Sequence, residues 1–319
     1  MSTSGIYSFA VTRDDIIRQA MLNIGKLDPY ETPDSRQTSD AALLLNMLVK
    51  QMMGKTDFAA GLKVWSRKRG YLFLSTSTGR YTLSSSATGW TNNPVFTTLA
   101  AAALAGATSV TLTSATGVAT GYNIGIIQTD GSLAWTTISG LAGAVATIPG
   151  SALTVGASAG ATVYIFQSAA QSPVYIEAAN LRDSQYVDVP LKIIRSVQEY
   201  EALPSKAQVT FQQDPTAIWW ESGINTSTLF LDCGSAQDLT KYIVLTYLEP
   251  VQDFTTTTDA PYYPQEFFLC LCWELSKLMA PQYNKPWTDT MEANRIQASA
   301  FAKSKDNENS SLYFQCGLE

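Results

Sequence analysis

Between residues 84 and 170 the chain carries one charged side chain, Asp130. Ala, Gly, Thr and Ser dominate that stretch, while both flanks carry charges at ordinary density and apolar residues at helical spacing. A block so poor in charge and so rich in Gly and Thr suits short strands and tight turns rather than long solvated helices. Ordinary sequence resumes after it, so it reads as an insertion. The expected division is a discontinuous body, residues 1–84 and 171–303, around an inserted β-domain, residues 85–170. A polar tail, residues 304–319, follows.

Inside the insertion about five strands are expected, at 109–113, 122–128, 133–139, 144–148 and 162–166. The step Asp130-Gly131 reads as a two-residue hairpin turn in which both central positions take positive φ. Several short strands with Gly turns predict a small barrel or sandwich. Its polar, uncharged character makes it a candidate docking module, with Trp135 and Asp130 as candidate contacts.

The flanks read differently. Thr12 followed by Asp15 is a capping-box signature, and Ile16, Ile17, Ala20, Met21 and Ile24 then recur at helical spacing up to Gly25. After Pro29 and Pro33, Ser35 or Ser39-Asp40 would cap a second helix with the stripe Ala41, Leu44, Leu45, Leu48 and Met52, closed by Gly54. A hairpin is expected from Tyr71–Leu74 to Tyr81–Leu83 around Thr78-Gly79. Strands at 174–176, 185–189, 190–194, 217–220, 227–231 and 242–247 predict one compact antiparallel sheet, with a helical turn at 196–200. Residues 265–280 are apolar around nearly the whole helical circumference, which predicts burial on several sides. A last helix is expected over 288–303. The fold class is therefore α+β: a helical body with a small antiparallel sheet, plus the inserted all-β domain.

Composition narrows the function. With 45% hydrophobic residues the chain has material for a real core. Lys and Arg number 21 against 27 Asp and Glu, a net charge of -6, so there is no general basic footprint for a nucleic-acid backbone. Histidine is absent, which removes Ser-His-Asp and Cys-His nucleophile systems and His-ligated metals. The four cysteines, Cys233, Cys270, Cys272 and Cys316, form no Cys-x-x-Cys pair, and free thiols are expected. No cofactor or metal site is expected. No apolar run approaches the ~18–20 residues of a membrane span, and no leader peptide is expected from the first residues.

Candidate contact residues follow from exposure and clustering. Lys63, Arg67, Lys68 and Arg69, interleaved with Trp65, are the one basic cluster and a candidate partner surface. Trp219 and Trp220 are adjacent on an expected strand, so one should face outward as a candidate interface anchor. In the tail, Leu312, Tyr313, Phe314 and Cys316 follow a polar spacer, a pattern suited to folding against a partner.

The order of segments carries a resemblance. Thr12-Arg-Asp-Asp15 with Ala20-Met-Leu-Asn-Ile-Gly25 opens a helix pair. Val189-Pro-Leu191, Ile194-Arg-Ser-Val-Gln-Glu-Tyr200 and Leu203-Pro-Ser-Lys206 follow. Asp214-Pro215 and Trp219-Trp220 lead into a strand pair, and Pro264-Gln-Glu-Phe-Phe268 starts a helix ending Leu278-Met-Ala-Pro-Gln-Tyr283. The series resembles the head-to-tail adaptor proteins of short-tailed bacteriophages, the tail tubular protein A-like or packaged-DNA-stabilising connectors, over about residues 10–83 and 171–303. The middle block departs from the shortest members and resembles β-insertions of larger phage tail proteins.

The resemblance implies a structural virion protein and no enzyme. It implies a homo-oligomeric ring, usually of twelve copies, between the portal protein and the tail nozzle protein, assembled in the host cytoplasm and located at the collar. It also implies that the tail, through Leu312, Tyr313, Phe314 and Cys316, reaches the portal. A strongly acidic ring would let DNA slide without sequence-specific contacts, since like charges repel. The expected partners are thus other copies, portal, nozzle and passing DNA, with a tail fibre or other tail protein as a candidate for residues 85–170, and no membrane. Deletion of 86–169 is expected to leave ring formation intact. The alternative is a fibre-docking or adhesin-type binding protein acting through the inserted domain. A two-carboxylate glycosidase needs no His but finds no acidic pair in a cleft-like context.

Overall fold

The computed structural model describes residues 9–54, 63–76, 78–204, 206, 212–236 and 238–306. The chain forms two compact units: Met1–Ser66 together with Val251–Glu319, and Arg67–Pro250. These limits differ from those read from composition, because residues 85–170 fall inside the second unit and the first is built from the two chain ends. Among the described residues no helix is long and apolar enough to cross a membrane.

The first unit is helical. Helix α1 (Arg13–Asn23) starts at the expected box: Asp15 N–H donates to Thr12 Oγ1 and Thr12 N–H to Asp15 Oδ2. Helix α2 (Ser35–Met53) is capped instead by Asp34, whose Oδ1 accepts the Gln37 N–H at 2.8 Å, and Gln37 Oε1 returns the favour to the Asp34 N–H. That Asp-x-x-Gln box ends the chain's exit from Pro33 and displaces the expected Ser caps. A 3₁₀ turn, Gln265–Phe267, feeds a later apolar helix, Phe268–Met279, and the chain closes with Asp289–Lys305, started by Thr288 Oγ1 accepting the Met291 N–H.

One core joins these helices. Ile16, Ile17, Ala20 and Met21 meet Ala41, Leu45, Leu48 and Val49, and both sets meet Leu271, Leu275 and Met279. Each of these Ile, Leu, Val and Met side chains, once buried, contributes ~1.5–3 kcal/mol. The Phe268–Met279 helix is not covered all round: Leu269 remains 58% exposed. Ser276 sits buried among apolar residues because its Oγ donates to Cys272 O and Ala20 O and accepts from Asn23 Nδ2. Asn46 fixes the returning chain by exchanging two hydrogen bonds with the Phe254 backbone.

The second unit is built from strands, in chain order β1 (Arg67–Phe73), β2 (Arg80–Leu83), β3 (Trp90–Thr91), β4 (Val95–Thr98), β5 (Ser109–Thr111) and β6 (Asn123–Ile127). Then come β7 (Leu133–Thr137), β8 (Gly140–Ala142), β9 (Val145–Thr147), β10 (Thr162–Phe166), β11 (Tyr175–Arg182) and β12 (Asp188–Pro190). The last are β13 (Lys192–Ile194), β14 (Gln212–Gln213), β15 (Ala217–Glu221), β16 (Ser227–Leu231), β17 (Ser235–Ala236) and β18 (Tyr242–Leu248). The short helix Val197–Glu201 lies where the helical turn is expected. In chain order we call it α3, the helix Phe268–Met279 α4, and the helix Asp289–Lys305 α5.

A five-stranded sheet runs β12-β11-β18-β1-β3, and a four-stranded sheet runs β13-β15-β16-β2. Leu72, Ile176, Leu181, Ile243 and Leu245 of the first sheet share one apolar cluster with Leu83, Ile218, Leu229 and Leu231 of the second. The alternate residues Phe73, Tyr242 and Val244 point to the opposite face, where they meet Tyr164 and Phe166 of β10. The central strand β18 is therefore buried on both faces along most of its length, while the edge strand β12 is exposed. Residues 85–170 hold a four-stranded sheet, β4-β10-β6-β7, and a three-stranded one, β5-β9-β8, around their own cluster of Leu112, Ile124, Ile126, Val163 and Ile165.

The expectation of a helical body with one small sheet is overturned. Strand residues amount to 28% and helical residues to 25%, and every strand of the two large sheets except β3 lies outside residues 84–170. The reason is that β1 was hidden in a basic run, and that short apolar strands do not disclose which sheet they join. The Tyr71–Leu74 and Tyr81–Leu83 hairpin is corrected for the same reason: β1 pairs with β18 and β3, while β2 pairs with β16. The expected single antiparallel sheet is likewise two, and β13 runs parallel to β15. The Asp130-Gly131 turn does join β6 and β7, but with a longer loop. Gly131 alone takes positive φ, +78°, its N–H donates to Gln128 O, and Gln128 N–H donates to Ser132 O. This is the three-residue loop in which a turn is completed by one left-handed Gly.

Candidate functional site

A cleft of about 260 Å³ lies within the helical unit. Its floor comes from four segments. Helix α2 supplies Leu48 and Met52, the residues before β1 supply Trp65, the approach to α4 supplies Tyr263 and Phe267, and α5 supplies Ala302. Trp65 stacks at a tilt on Tyr263, ring centres 4.7 Å apart, with Phe267 at 6.0 Å and Tyr262 at 6.3 Å. Tyr263 is held by its hydroxyl, which donates to Val49 O. Burial raises that phenol's pKa well above its ordinary value.

Trp65 Nε1 is buried and has no hydrogen-bond partner among the described residues. An unsatisfied buried donor costs ~1–3 kcal/mol.

The rim is charged. Arg295 donates to Glu274 Oε1 at 2.6 Å and to Glu292 at 2.7 and 3.1 Å. Lys277 Nζ and Trp287 Nε1 also donate to Glu292. These donors, with Arg295 foremost, hold the Glu292 carboxyl down at about 2. Lys303 lines the same cleft and makes no ion pair among the described residues. Cys270 is buried beside it, and desolvation pushes its thiol up to about 11, the opposite of what a nucleophilic cysteine needs. The apolar floor and Lys303 suit an apolar or aromatic group that carries negative charge.

Where α5 ends, the buried Asp306 closes the cleft. Its Oδ2 accepts the Lys63 N–H at 2.6 Å and its Oδ1 the Val64 N–H at 2.8 Å. Lys63 has φ +53°, a left-handed conformation that a non-Gly residue holds only when its surroundings impose it. The double hydrogen bond is one part of that constraint.

A second depression, about 450 Å³ and more open, lies in the β-rich unit between Ile127, Gly131, Asp214, Asp238 and Lys241. Its charges are used internally: Lys241 pairs with Asp214, and Asp238 accepts from the Thr240 N–H and hydroxyl. Among the described residues no group of three or more Cys, Asp or Glu side chains is placed to hold a metal ion.

The residues singled out in sequence are distributed over both units. Lys63 is buried and its Nζ donates to Gly54 O, Trp65 lines the cleft, Arg67 pairs with Glu177 at 2.6 Å, and Lys68 and Arg69 sit on β1. Trp219 and Trp220 do not divide into one inward and one outward side chain. Trp219 is buried and stacks on Tyr200 at 4.9 Å and Phe230 at 4.7 Å, while Trp220 is half-buried against Tyr175. Two sheet faces and α3 cover the strand, so both indoles have inside neighbours. Trp135 is half-buried against Phe73 and Phe166, and Asp130 is exposed with its carboxylate accepting from Ser132. Leu312, Tyr313, Phe314 and Cys316 lie outside the described residues.

Sequence reading passed over Asp306, Glu274, Glu292 and Arg295. Glu292 and Arg295 are three apart on a helix, a spacing that predicts a pair, but nothing local signals Glu274 or the Lys63 backbone as partners. No protein-family model matches the chain, and a search of curated proteins finds no match.

Proposed function

We propose that the chain is a structural virion protein, a head-to-tail adaptor that assembles as a ring between portal and tail nozzle. The segment order described above suggests the family. The observation that carries the reading is the apolar surface left over once the helical core is complete. Leu43 and Met47 on α2, Leu269 on α4, and Ile296 and Phe301 on α5 are all more than half exposed. Leu43 and Met47 are one turn apart, so they form one face rather than two isolated positions. Large exposed apolar side chains on several helices of one small unit favour a protein partner. In a ring each copy meets the next through two different patches, and the exposed faces of α2 and α5 supply two. The net charge of -6 per copy fits a conduit through which DNA slides.

Immunogold electron microscopy of particles from the source, with antibody to this chain, tests the reading. Label confined to the collar is the expected result. Label along fibres would move the function to residues 85–170, and absence of label from every particle would overturn the virion assignment.

A further inference from the structure

The cleft in the helical unit is small for a free ligand, since small-molecule sites usually span ~300–1,000 Å³, but at about 260 Å³ it suits a peptide's anchoring side chains. Its wall is aromatic, and its rim holds Lys303 without an ion pair among the described residues. A peptide suited to it would bring an aromatic or aliphatic anchor and negative charge.

The chain has such a peptide at the cleft's edge. Residues 307–319 begin directly after Asp306, which lines the cleft. Their sequence, NENSSLYFQCGLE, contains Leu312, Tyr313 and Phe314, the carboxylates Glu308 and Glu319, and neither Lys nor Arg. Reach permits the fit. Arg295, Ser299, Ala302, Lys303 and Asp306 lie along one stripe of α5, about 16 Å from end to end at 1.5 Å per residue. Seven residues from Asp306 to Tyr313 span up to about 23 Å.

We propose that this cleft is the docking site of the chain's own C-terminal segment, with Leu312-Tyr313-Phe314 seated on Trp65, Tyr263 and Phe267. The segment's carboxylates are the partners for Lys303. Docking is within one copy, because the segment leaves from the rim of its own cleft. It would hold the segment until a partner competes for it. The proposal stands apart from the adaptor reading: its failure leaves the collar assignment untouched, and the reverse.

Chymotrypsin cuts after Tyr313 and Phe314, which gives the test. The full chain and a synthetic peptide of residues 307–319 are digested in parallel, and the cut is followed by mass spectrometry. The expected result is cleavage at least tenfold slower in the full chain, unchanged on hundredfold dilution. Lys303→Glu, and independently Met52→Trp, which fills the cleft, should each raise the rate severalfold with the far-ultraviolet circular dichroism unaltered. Cleavage at the free-peptide rate overturns the proposal. So does protection that survives both substitutions in folded protein, which would locate the segment elsewhere, or protection that disappears on dilution, which would assign the segment to a second copy.

Discussion

The Asp306 carboxylate accepts the backbone N–H of Lys63 at 2.6 Å across 243 residues of sequence. With the Val64 N–H at 2.8 Å on its other oxygen, it fastens the end of α5 to the point where the chain enters its 3₁₀ turn, Val64–Ser66. Hydrogen bonds to a charged group contribute ~1.5–3 kcal/mol each. Asp306→Ala leaves two donors without their acceptor and should destabilise the helical unit by ~2–4 kcal/mol. Asp306→Asn keeps one acceptor and should cost about half as much. Urea unfolding followed by far-ultraviolet circular dichroism checks both, and equal stability of wild type and Asp306→Ala would show the fastening to be incidental.

Gly70 on β1 is required by Trp90. A Cβ at position 70 would lie 2.0–2.8 Å from three carbons of the Trp90 six-membered ring, and Trp90 is fully buried with its Nε1 donating to Gln171 O. The indole has nowhere to retreat, so Gly70→Ala is an overpacking change, for which ~1–3 kcal/mol is usual. We expect at least the upper end, about 3 kcal/mol, in thermal unfolding of the β-rich unit. Gly121→Ala serves as the control for space alone, since nothing lies within 4 Å there, and its cost comes only from φ +88°.

How far this architecture could be read in advance depended on how local its causes are. The Thr12–Asp15 box and the apolar spacing of Ile16, Ile17, Ala20 and Met21 lie within one or two turns, so α1 was legible. So were the hairpin at Gly131 and most strand positions, where period-two alternation and a Gly are enough. Sheet membership was not: β1 and β2 are near in sequence yet join different sheets, because pairing with β18 and β16 is decided by contacts more than a hundred residues away. The candidate cleft was less legible still. Trp65 was noticed for its basic neighbours, whereas its wall is completed by Tyr263 and Phe267, and Asp306 acts on backbone that no side-chain motif marks.

Acid should loosen the helical unit through Glu292. Arg295, Trp287 and Lys277 donate to its carboxylate and bring its pKa down from 4.5 to about 2. The unfolded chain therefore binds this proton more readily than the folded one. Stability from this group is fully present above about pH 5 and is lost as pH falls toward 2, because the slope follows the excess of protons in the unfolded state. Glu292→Gln should flatten the acid limb of a stability-against-pH curve while lowering the plateau near pH 7. A variant with an unchanged acid limb would show that other carboxylates dominate.

The thiols should be silent in the native protein. Burial pushes Cys270 up to about 11 and Cys272 up to about 12, and Cys233 is buried as well. At pH 8 a thiol with a pKa near 11 is ionised only about one part in a thousand, and the thiolate is the reactive form. A disulfide reagent at pH 8 should thus titrate at most one of the four cysteines rapidly, with the rest reacting after denaturation. Fast native reaction of two or more would mean that the α4 core opens readily.

The uncharged block is not separable at the cut its composition suggests. Removing residues 86–169 would take away Trp90, which fills the cluster between the two large sheets. Even a cut at 92–168, which spares β3, strips Tyr164 and Phe166 from the face formed by Phe73, Tyr242 and Val244. Phe73 and Tyr164 stack with ring centres 4.1 Å apart, and the Tyr164 hydroxyl donates to Leu239 O at 2.8 Å. Aromatic pairs of this kind add ~0.5–1.5 kcal/mol beyond their burial, and their loss bares a contiguous apolar patch of the sort that drives association. Deletion of 92–168 with a short linker should therefore give a chain that binds the hydrophobic dye ANS and associates on size exclusion. Adding Phe73→Thr and Tyr242→Thr should reduce both effects. A well-behaved deletion without those changes would show that residues 85–170 rest on the sheet without supporting it.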